Sequence, residues 1–151
     1  MDVGDLVAGR YRITGFLARG GMAEVVAAHD ERLDREVALK VARVAGGTDR
    51  ARFDAEVRLL ASLQHPHLVR VFDAGLGGDE PFLVLGLADG PNLAQLLAAG
   101  SLAEVRLRGL GRDLAAALAH VHAEGVVHRD VKPANVLTGA DGRWLLADFG
   151  I

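Results

Sequence analysis

One stretch of this sequence decides its fold: Val127-His128-Arg129-Asp130-Val131-Lys132-Pro133-Ala134-Asn135-Val136-Leu137. It places a carboxylate, an ammonium group and an amide close together in a loop-like segment. Asp130 can accept a proton from a hydroxyl group, and Lys132 can neutralise negative charge beside it. These residue types in one short loop predict a catalytic segment that acts on an anionic substrate.

A short hairpin is predicted directly after this stretch. The segments 136–138 and 144–147 are apolar, and the glycine- and aspartate-containing segment 139–142 between them is typical of a turn. This hairpin carries Asn135 and Asp148 on opposite strands. Amide and carboxylate oxygens suit a hard cation such as Mg²⁺, which takes few protein ligands and keeps water and phosphate oxygens. The pattern therefore predicts a metal site at Asn135 and Asp148.

Lysine is rare in this chain, and both lysines lie in candidate site segments. Of 17 basic residues only Lys40 and Lys132 are lysine. Lys40 ends the run Val37-Ala38-Leu39-Lys40 in a predicted strand, where a cation is costly unless it meets an anion. Glu56, on the helix that follows, is the leading partner. The alternative is a lysine on an edge strand that faces water.

A glycine pair, Gly20-Gly21, lies between the first two predicted strands. Glycine there would let backbone N–H groups approach phosphate oxygens closely. The alternative is an ordinary hairpin turn. This signal is weak by itself and gains weight only from the motifs that follow it.

Composition narrows the class of protein. The chain has 151 residues, of which 50% are hydrophobic and 25% charged, so it can bury a core. Its net charge of −3 gives no electrostatic footprint for nucleic acid. The absence of cysteine excludes disulfides and thiolate metal sites. The sequence has no run long enough for a membrane span and no signal peptide at its start, so we expect a soluble, cytoplasmic protein.

Hydrophobic periodicity predicts a strand-rich first half and a helical second half, with a boundary near residues 88–91. The predicted strands are 10–17, 24–30, 36–41, 68–74 and 81–87, and the predicted helices are 50–63, 92–99 and 102–123, the last capped by Gly125. The apolar stripe of the long helix comprises Leu107, Leu110, Leu114, Ala117, Leu118 and Val121.

Four motifs follow one another along the chain: Gly20-Gly21, Val37-Ala38-Leu39-Lys40, the stretch 127–137, and Asp148-Phe149-Gly150. Together and in this order they resemble the motifs of the eukaryotic-type protein kinases, and most nearly those of the bacterial serine/threonine kinases. The resemblance covers residues from about 6 to 151. A lysine two places after the catalytic aspartate is the serine/threonine pattern. The resemblance implies an α+β, bilobal fold. Residues 1–88 would form a complete N-lobe, an antiparallel sheet plus one helix with the hinge, and residues 89–151 a partial helical C-lobe ending at the start of the activation segment.

The resemblance also implies roles for the catalytic residues. Lys40 would hold the α- and β-phosphates of ATP and pair with Glu56. Asp130 would orient the substrate hydroxyl and accept its proton, and Lys132 would stabilise the transferring phosphoryl group. The metal ligands Asn135 and Asp148 would hold Mg²⁺.

The implied nucleotide pocket draws on both halves of the chain. Adenine would contact the side chains of Val25, Ala38 and Leu137, and Leu85 would lie at the inner end of the pocket. The backbone of Gly86 and Ala88 would contact the edge of the adenine ring. The full set expected to bind ATP is Leu17, Gly20, Gly21, Val25, Ala38, Lys40, Leu85, Gly86, Ala88 and Leu137.

Two departures from the family pattern affect this pocket. Ala18 and Ala23 replace two glycines of the phosphate loop, and a positive φ at Ala18 would cost about 1 kcal/mol. Gly86 replaces the acidic residue with which the hinge usually begins. We interpret the loop as weakened and the hinge as looser.

The expected function is transfer of the γ-phosphoryl group of ATP to Ser or Thr hydroxyls of a protein substrate. The main alternative is a truncated ATP-binding module or pseudokinase-like scaffold without activity, because the chain ends directly after Asp148-Phe149-Gly150. A small-molecule phosphotransferase of the same fold is a further alternative. The presence of Lys40, Glu56, Asp130, Asn135 and Asp148 argues against a pseudokinase. The resemblance also allows a membrane anchor in a later segment of the full-length protein.

Overall fold

The computed structural model describes residues 1–19, 23–42, 47–75, 80–88 and 90–148, without the side chains of 47–50, 52 and 56. The chain forms two compact units. The first comprises residues 1–61 and 70–87, and the second comprises residues 62–69 and 88–151. None of the described helices is both long and apolar enough to cross a membrane.

The first unit is an antiparallel sheet with one helix. Its strands are β1 (Leu6–Val7), β2 (Tyr11–Arg19), β3 (Ala23–Asp30), β4 (Arg35–Ala42), β5 (Val71–Gly75) and β6 (Phe82–Gly86), and its helix is α1 (Gly47–Ser62). The strand order is β1-β2-β3-β4-β6-β5, so β4 is an interior strand. Buried and half-buried residues alternate strictly along β3, as expected for a strand whose side chains point to opposite faces of the sheet in turn.

Each face of this sheet has its own apolar cluster. One face is built around Ile13, Val26 and Leu39. On the other face, Phe53 and Val57 of α1 pack against Leu83 of β6. Burying an aromatic and two aliphatic side chains at about 1.5–3 kcal/mol each is what holds α1 on the sheet.

The largest differences between the elements of the first unit and the sequence prediction concern α1, β5 and β1. Helix α1 begins at Gly47, not Arg50. Strand β5 begins at Val71, not Leu68. Strand β1 was not predicted, because a pair of residues carries no periodicity. The predicted turn at 77–79 lies outside the described residues.

The second unit contains two helices and a small hairpin. The helices are α2 (Leu93–Ala99) and α3 (Glu104–Ala123), and the hairpin strands are β7 (Val136–Thr138) and β8 (Trp144–Leu146), preceded by a 3₁₀ turn at Pro133–Asn135. Asn92 and Gln95 form a reciprocal capping box at the start of α2.

The long helix ends as its sequence predicts. Gly125 has φ +74°, and its N–H donates to the carbonyl of His122 at 3.0 Å. The N–H of Val126 donates to the carbonyl of Val121 at 3.1 Å. These two bonds form a Schellman motif, which requires the left-handed conformation that glycine adopts at little cost.

Residues 62–69 belong to the second unit, although the sequence analysis assigned all residues up to 88 to the N-lobe. The N–H of Leu146 donates to the carbonyl of His67 at 2.9 Å, and the N–H of Val69 donates to the carbonyl of Leu146 at 3.0 Å. These bonds extend the outer edge of β8, which explains why the segment before β5 does not join the large sheet.

The buried face of α3 is narrower than the predicted stripe and includes an aspartate. Ala117 and Val121 are buried as expected, and Asp113 is buried one turn before them. Leu107 is exposed, contrary to prediction. Apolar content alone predicted the stripe, and it could not anticipate a charged residue with partners inside the unit.

Candidate active site

The loop around Asp130 is closed by its own side chains. The Asp130 carboxylate receives the ammonium group of Lys132 at 2.8 Å and the amide nitrogen of Asn135 at 2.9 Å. The same amide nitrogen donates to the backbone carbonyl of Asp130 at 2.9 Å. The bonds from Lys132 and Asn135 hold the pKa of Asp130 below its ordinary value, so the carboxylate is ionised at neutral pH.

His128 connects this loop to the segment that carries Asp148. Its Nε2 lies 3.0 Å from the carbonyl oxygen of Ala147, and its Nδ1 lies 3.3 Å from the backbone nitrogen of Asp130. Nδ1 must accept from that N–H and Nε2 must donate to the carbonyl, so these bonds require the neutral ring. Burial lowers the pKa of His128, which favours the same neutral form.

Asp148 follows β8 in a left-handed conformation. The N–H of Ala147 donates to the carbonyl of Asn135 at 2.9 Å, which joins the two expected metal-ligand segments through the backbone. Asp148 has φ +52° and Arg129 has φ +66°. Aspartate tolerates this region better than most residues, and such strained conformations cluster at functional sites.

The donors present fit a hard divalent cation. Because the amide nitrogen of Asn135 is committed to Asp130, its oxygen is the atom that can ligate a metal. Together with the carboxylate of Asp148 this makes two protein oxygen ligands, as expected for Mg²⁺ held jointly by protein, phosphate and water. No group of three or more His, Cys, Asp and Glu side chains in the described part of the chain could hold a metal alone.

Four expected nucleotide-binding residues share one face of the large sheet. Lys40 pairs with Val25 on β3 and with Leu83 on β6, and Ala38 pairs with Leu85. Paired residues of antiparallel strands lie on the same face, here the face that packs α1. Since β4 is an interior strand, Lys40 is not an edge-strand lysine. Glu56 lies within α1, and its side chain is outside the described residues.

The phosphate loop is described only at its two flanks, because Gly20 and Gly21 lie outside the described residues. Ala18 is paired with Val25 after a bulge and is absent from the residues with positive φ, so the anticipated strain there does not arise. Leu17, beside the bulge, is half exposed. Next to the loop, Arg19 contacts the buried carboxylate of Glu24 at 2.7 Å.

The expected adenine contacts of the hinge and floor are split between the units. Gly86 ends β6, and its N–H donates to the carbonyl of Arg70 at 2.8 Å. Ala88 and Leu137 belong to the second unit. Leu137 is half-buried in β7 opposite Leu145.

Sequence analysis missed three buried carboxylates, namely that of Glu24 beside Arg19 and those of Asp30 and Asp113. Asp30 is fully buried and accepts two hydrogen bonds of 2.7 Å from the guanidinium of Arg10. Asp113 is buried in α3. Asp30 lies two residues after Ala28 and four after Val26, and this strand spacing, which puts the three on one face, is a signal that the sequence contained.

Comparison with known proteins identifies related chains. The family described as "Protein kinase domain" matches residues 11–151. The probable serine/threonine-protein kinase SCO3848 of Streptomyces coelicolor is 41% identical over 96% of this chain and 23% of its own length. Serine/threonine-protein kinase PrkC of Bacillus subtilis is 36% identical over 100% of this chain and 24% of its own. PknL of Mycobacterium bovis is 43% identical, over 97% and 38% respectively.

A solved structure agrees with these matches. The PknI kinase domain of Mycobacterium tuberculosis superimposes with a TM-score of 0.81 at 32% identity, covering 99% of this chain and 62% of that one. The chain thus spans between 23% and 38% of the three curated relatives. The matches agree with the α+β fold and with the family that the motifs resemble.

Proposed function

The chain belongs to the protein kinase domain family, and from this we propose that the protein transfers the γ-phosphoryl group of ATP to serine or threonine hydroxyls of a protein substrate. The observation that carries the proposal is the loop around Asp130. Its carboxylate is ionised and fixed by Lys132 and Asn135, which is the state required of a group that accepts a hydroxyl proton.

Each residue of this loop has a chemical task in the proposal. Asp130 orients the attacking hydroxyl and takes its proton as the hydroxyl oxygen bonds to the γ-phosphorus and the bond from that phosphorus to the departing ADP breaks. Lys132 lies beside it and neutralises charge on the transferring group. His128, as a neutral ring, fixes the backbone of Asp130 relative to Ala147 and keeps the carboxylate in place.

The family uses ATP together with a divalent cation, and we propose Mg²⁺ as that cation here. Bound Mg²⁺ would neutralise phosphate charge. Asn135 and Asp148 would hold it through one amide oxygen and one carboxylate. The paucity of protein ligands favours Mg²⁺ over Ca²⁺, which takes six to eight oxygens.

The first unit supplies the proposed nucleotide contacts. Lys40 binds phosphate oxygens and pairs with Glu56, while Val25, Ala38 and Leu85 form the apolar surface on the same sheet face. Gly20 and Gly21 cover the phosphates, with Leu17 beside them. From the resemblance we also propose adenine contacts by Ala88, by Leu137 and by the backbone of Gly86.

We further propose that this part of the protein acts in the cytoplasm, where ATP is available, and that its partner is a protein and not a nucleic acid. The net charge of −3 supports the second point, because nucleic-acid binding depends on clustered positive charge.

Radiolabel transfer tests the proposed function directly. The full-length protein is incubated with γ-labelled ATP, Mg²⁺ and a generic basic protein, and the product is hydrolysed to identify the labelled amino acid. Phosphoserine or phosphothreonine is expected. Nucleotide binding by calorimetry without any transfer would favour the scaffold alternative, and label on a small molecule alone would favour the phosphotransferase alternative.

A further inference from the structure

A buried carboxylate on the long helix has partners that connect it to the candidate metal site. Asp113 is 2% exposed and lies far from the loop of Asp130 in sequence. Its Oδ2 accepts the backbone N–H of Trp144 at 3.2 Å, and its Oδ1 accepts from the guanidinium of Arg112 at 2.9 Å. Burial acts to raise the pKa of Asp113, but these bonds outweigh it and hold the pKa below its ordinary value.

His67 makes a second hydrogen bond to the backbone of Trp144 in β8. Its Nδ1 lies 3.0 Å from the carbonyl oxygen of Trp144 and 3.5 Å from the Asp113 carboxylate. The carbonyl can only accept, so Nδ1 carries the proton. The nearby carboxylate favours that tautomer and orients the ring. Asp113 and His67 therefore hold both backbone polar groups of Trp144.

Further backbone hydrogen bonds continue along β8 toward Asp148. The carbonyl of His67 accepts the N–H of Leu146 at 2.9 Å. Ala147, the next residue, is fixed by Asn135 and by His128. Strand β8, which ends two residues before Asp148, thus pairs with β7 along one edge. Along its other edge it is hydrogen-bonded to the segment that contains His67.

We propose that Asp113 and His67 are positioning residues that set the backbone of β8 and thereby aim the carboxylate of Asp148 at the metal. The inference rests on the proposed function, because it assumes that Asp148 is a metal ligand. Groups that orient ligands from outside the coordination sphere change metal affinity by about 10- to 100-fold when they are removed.

A purely structural role makes a different prediction. If Asp113 only stabilised the fold, its loss would lower the melting temperature and weaken all ligands alike. If it positions Asp148, its loss weakens binding that depends on Mg²⁺ and spares binding that does not. Adenosine, which has no phosphates and needs no metal, separates the two.

The experiment measures ATP affinity by calorimetry in the full-length protein across a Mg²⁺ titration, with adenosine in metal-free buffer as the reference ligand. Asp113→Asn and Asp113→Ala should raise the Kd of ATP with Mg²⁺ about 10-fold and shift half-saturation to higher Mg²⁺. The Kd of adenosine should not change. Glu104→Ala, an exposed carboxylate on the same helix, is the matched control and should change neither.

Variants of His67 keep the test decisive if Asp113→Ala fails to fold. In His67→Asn the amide nitrogen can replace Nδ1 as donor, so this variant should keep Mg²⁺-dependent ATP binding. His67→Phe keeps a ring but lacks the donor, so it should bind ATP with Mg²⁺ more weakly. In an Asp148→Asn background, adding Asp113→Asn should produce little further loss, because the ligand it positions is already gone.

Three results would overturn the inference. Equal loss of ATP and adenosine affinity would assign Asp113 to stability alone, and unchanged Mg²⁺ dependence would remove any link to Asp148. Fully additive losses in the double variant would also contradict it. A parent protein that binds no ATP would instead refute the proposed function, and the inference with it, before any variant is compared.

Discussion

Both donors to Asp130 use the same carboxylate oxygen. Lys132 and Asn135 each contact Oδ2, so Oδ1 is the oxygen that these two residues leave for a substrate hydroxyl. Asp148 has a different setting, in a left-handed backbone conformation at the end of a strand. The two aspartates should therefore fail differently when they are changed.

Replacing each aspartate by asparagine should separate the two roles. Asp148→Asn should reduce Mg²⁺-dependent ATP binding and phosphoryl transfer together, because a metal ligand is weakened. Asp130→Asn should leave ATP binding nearly intact and lower transfer by about 100-fold or more, the usual scale for a general base. A nucleotide titration and a radiolabel assay on both variants measure this. Transfer at the parental rate by Asp130→Asn would disprove its catalytic role.

Lys40 should contact phosphate and not adenine. It lies on an interior strand of the sheet, where a cation needs an anionic partner. Lys40→Met keeps the length of the side chain and removes its charge, so it should weaken binding of ATP with Mg²⁺ and leave adenosine binding almost unchanged. Calorimetry with both ligands measures the difference. Equal losses for the two would point to unfolding and refute the assignment.

At the scale of elements, the β7–β8 hairpin is the support on which the second unit places its site residues. One of its outer contacts is made by Thr138, whose hydroxyl donates to the carbonyl of Pro91 at 2.8 Å. The N–H of Gly90 donates to the carbonyl of Thr138 at 3.3 Å. The segment after the hinge is thus held against β7, and Gly90 is the point of closest approach.

Two glycine-to-alanine changes should have opposite effects on stability. A Cβ at Gly90 would overlap the hydroxyl oxygen of Thr138, and so Gly90→Ala should destabilise the protein by about 1–3 kcal/mol. At Gly111, in α3, nothing lies within 4 Å of an added Cβ. Gly111→Ala should therefore stabilise by about 0.5–1 kcal/mol through helix propensity. Urea unfolding of both variants gives the two signs, and Thr138→Ala should relieve the clash in Gly90→Ala.

Periodicity predicted the existence and type of nearly all elements, because strands and helices repeat with different spacing. It did not predict their tertiary partners. Leu68 and Val69 look like the start of β5 but lie along β8, since the N–H of Val69 donates to the carbonyl of Leu146. The buried Asp113 was missed for the same reason. A carboxylate on an apolar stripe is understandable only once Trp144 and His67 are seen beside it.

For the candidate site, the sequence offered residue chemistry at the loop and the hairpin, while the roles of the remaining site residues came from the resemblance and stay predictions. Residue type and spacing indicated a carboxylate, a lysine and two metal ligands. The bonds that lock Asp130 and the neutral tautomer of His128 required the structure. No periodicity in a sequence encodes which ring nitrogen carries a proton.

At the scale of the whole molecule, both units contain carboxylates with a lowered pKa, and the second also contains histidines whose pKa is lowered by burial. The first unit buries Asp30 against Arg10, whose hydrogen bonds lower the pKa of Asp30 to about 2. In the second unit burial lowers the pKa of both His65 and His128 below the ordinary 6.5. In the first unit, the partly exposed His29 acts in the other direction, because its bond to Glu36 raises its pKa.

The sign of each effect follows from which state binds the proton. A histidine with a lowered pKa binds its proton more readily when unfolded, so the stability of the second unit should begin to fall as pH drops below about 6.5. An aspartate with a lowered pKa contributes stability above its unfolded value of 3.8, and this is lost as pH falls toward about 2. His29 opposes the first trend within its own unit, since its contribution is present below pH 6.5 and disappears as pH rises through its raised pKa.

Urea unfolding followed by two probes should therefore show two acid transitions in stability. Trp144 is the single tryptophan and lies in the second unit, so its fluorescence reports the unfolding of that unit. The free energy of unfolding measured by this fluorescence should fall first, below about pH 6.5. Far-UV circular dichroism, which also reports the large sheet, should show a further loss below about pH 4. Asp30→Asn should weaken the lower transition and leave the upper one unchanged, because it removes one of the carboxylates with a lowered pKa. Glu31→Gln, which breaks the exposed pair with Arg12, is the matched control and should leave both transitions in place, since exposed ion pairs contribute about 0–1 kcal/mol. One coincident transition for both probes, or a lower transition of unchanged size in Asp30→Asn, would contradict this assignment of acid sensitivity.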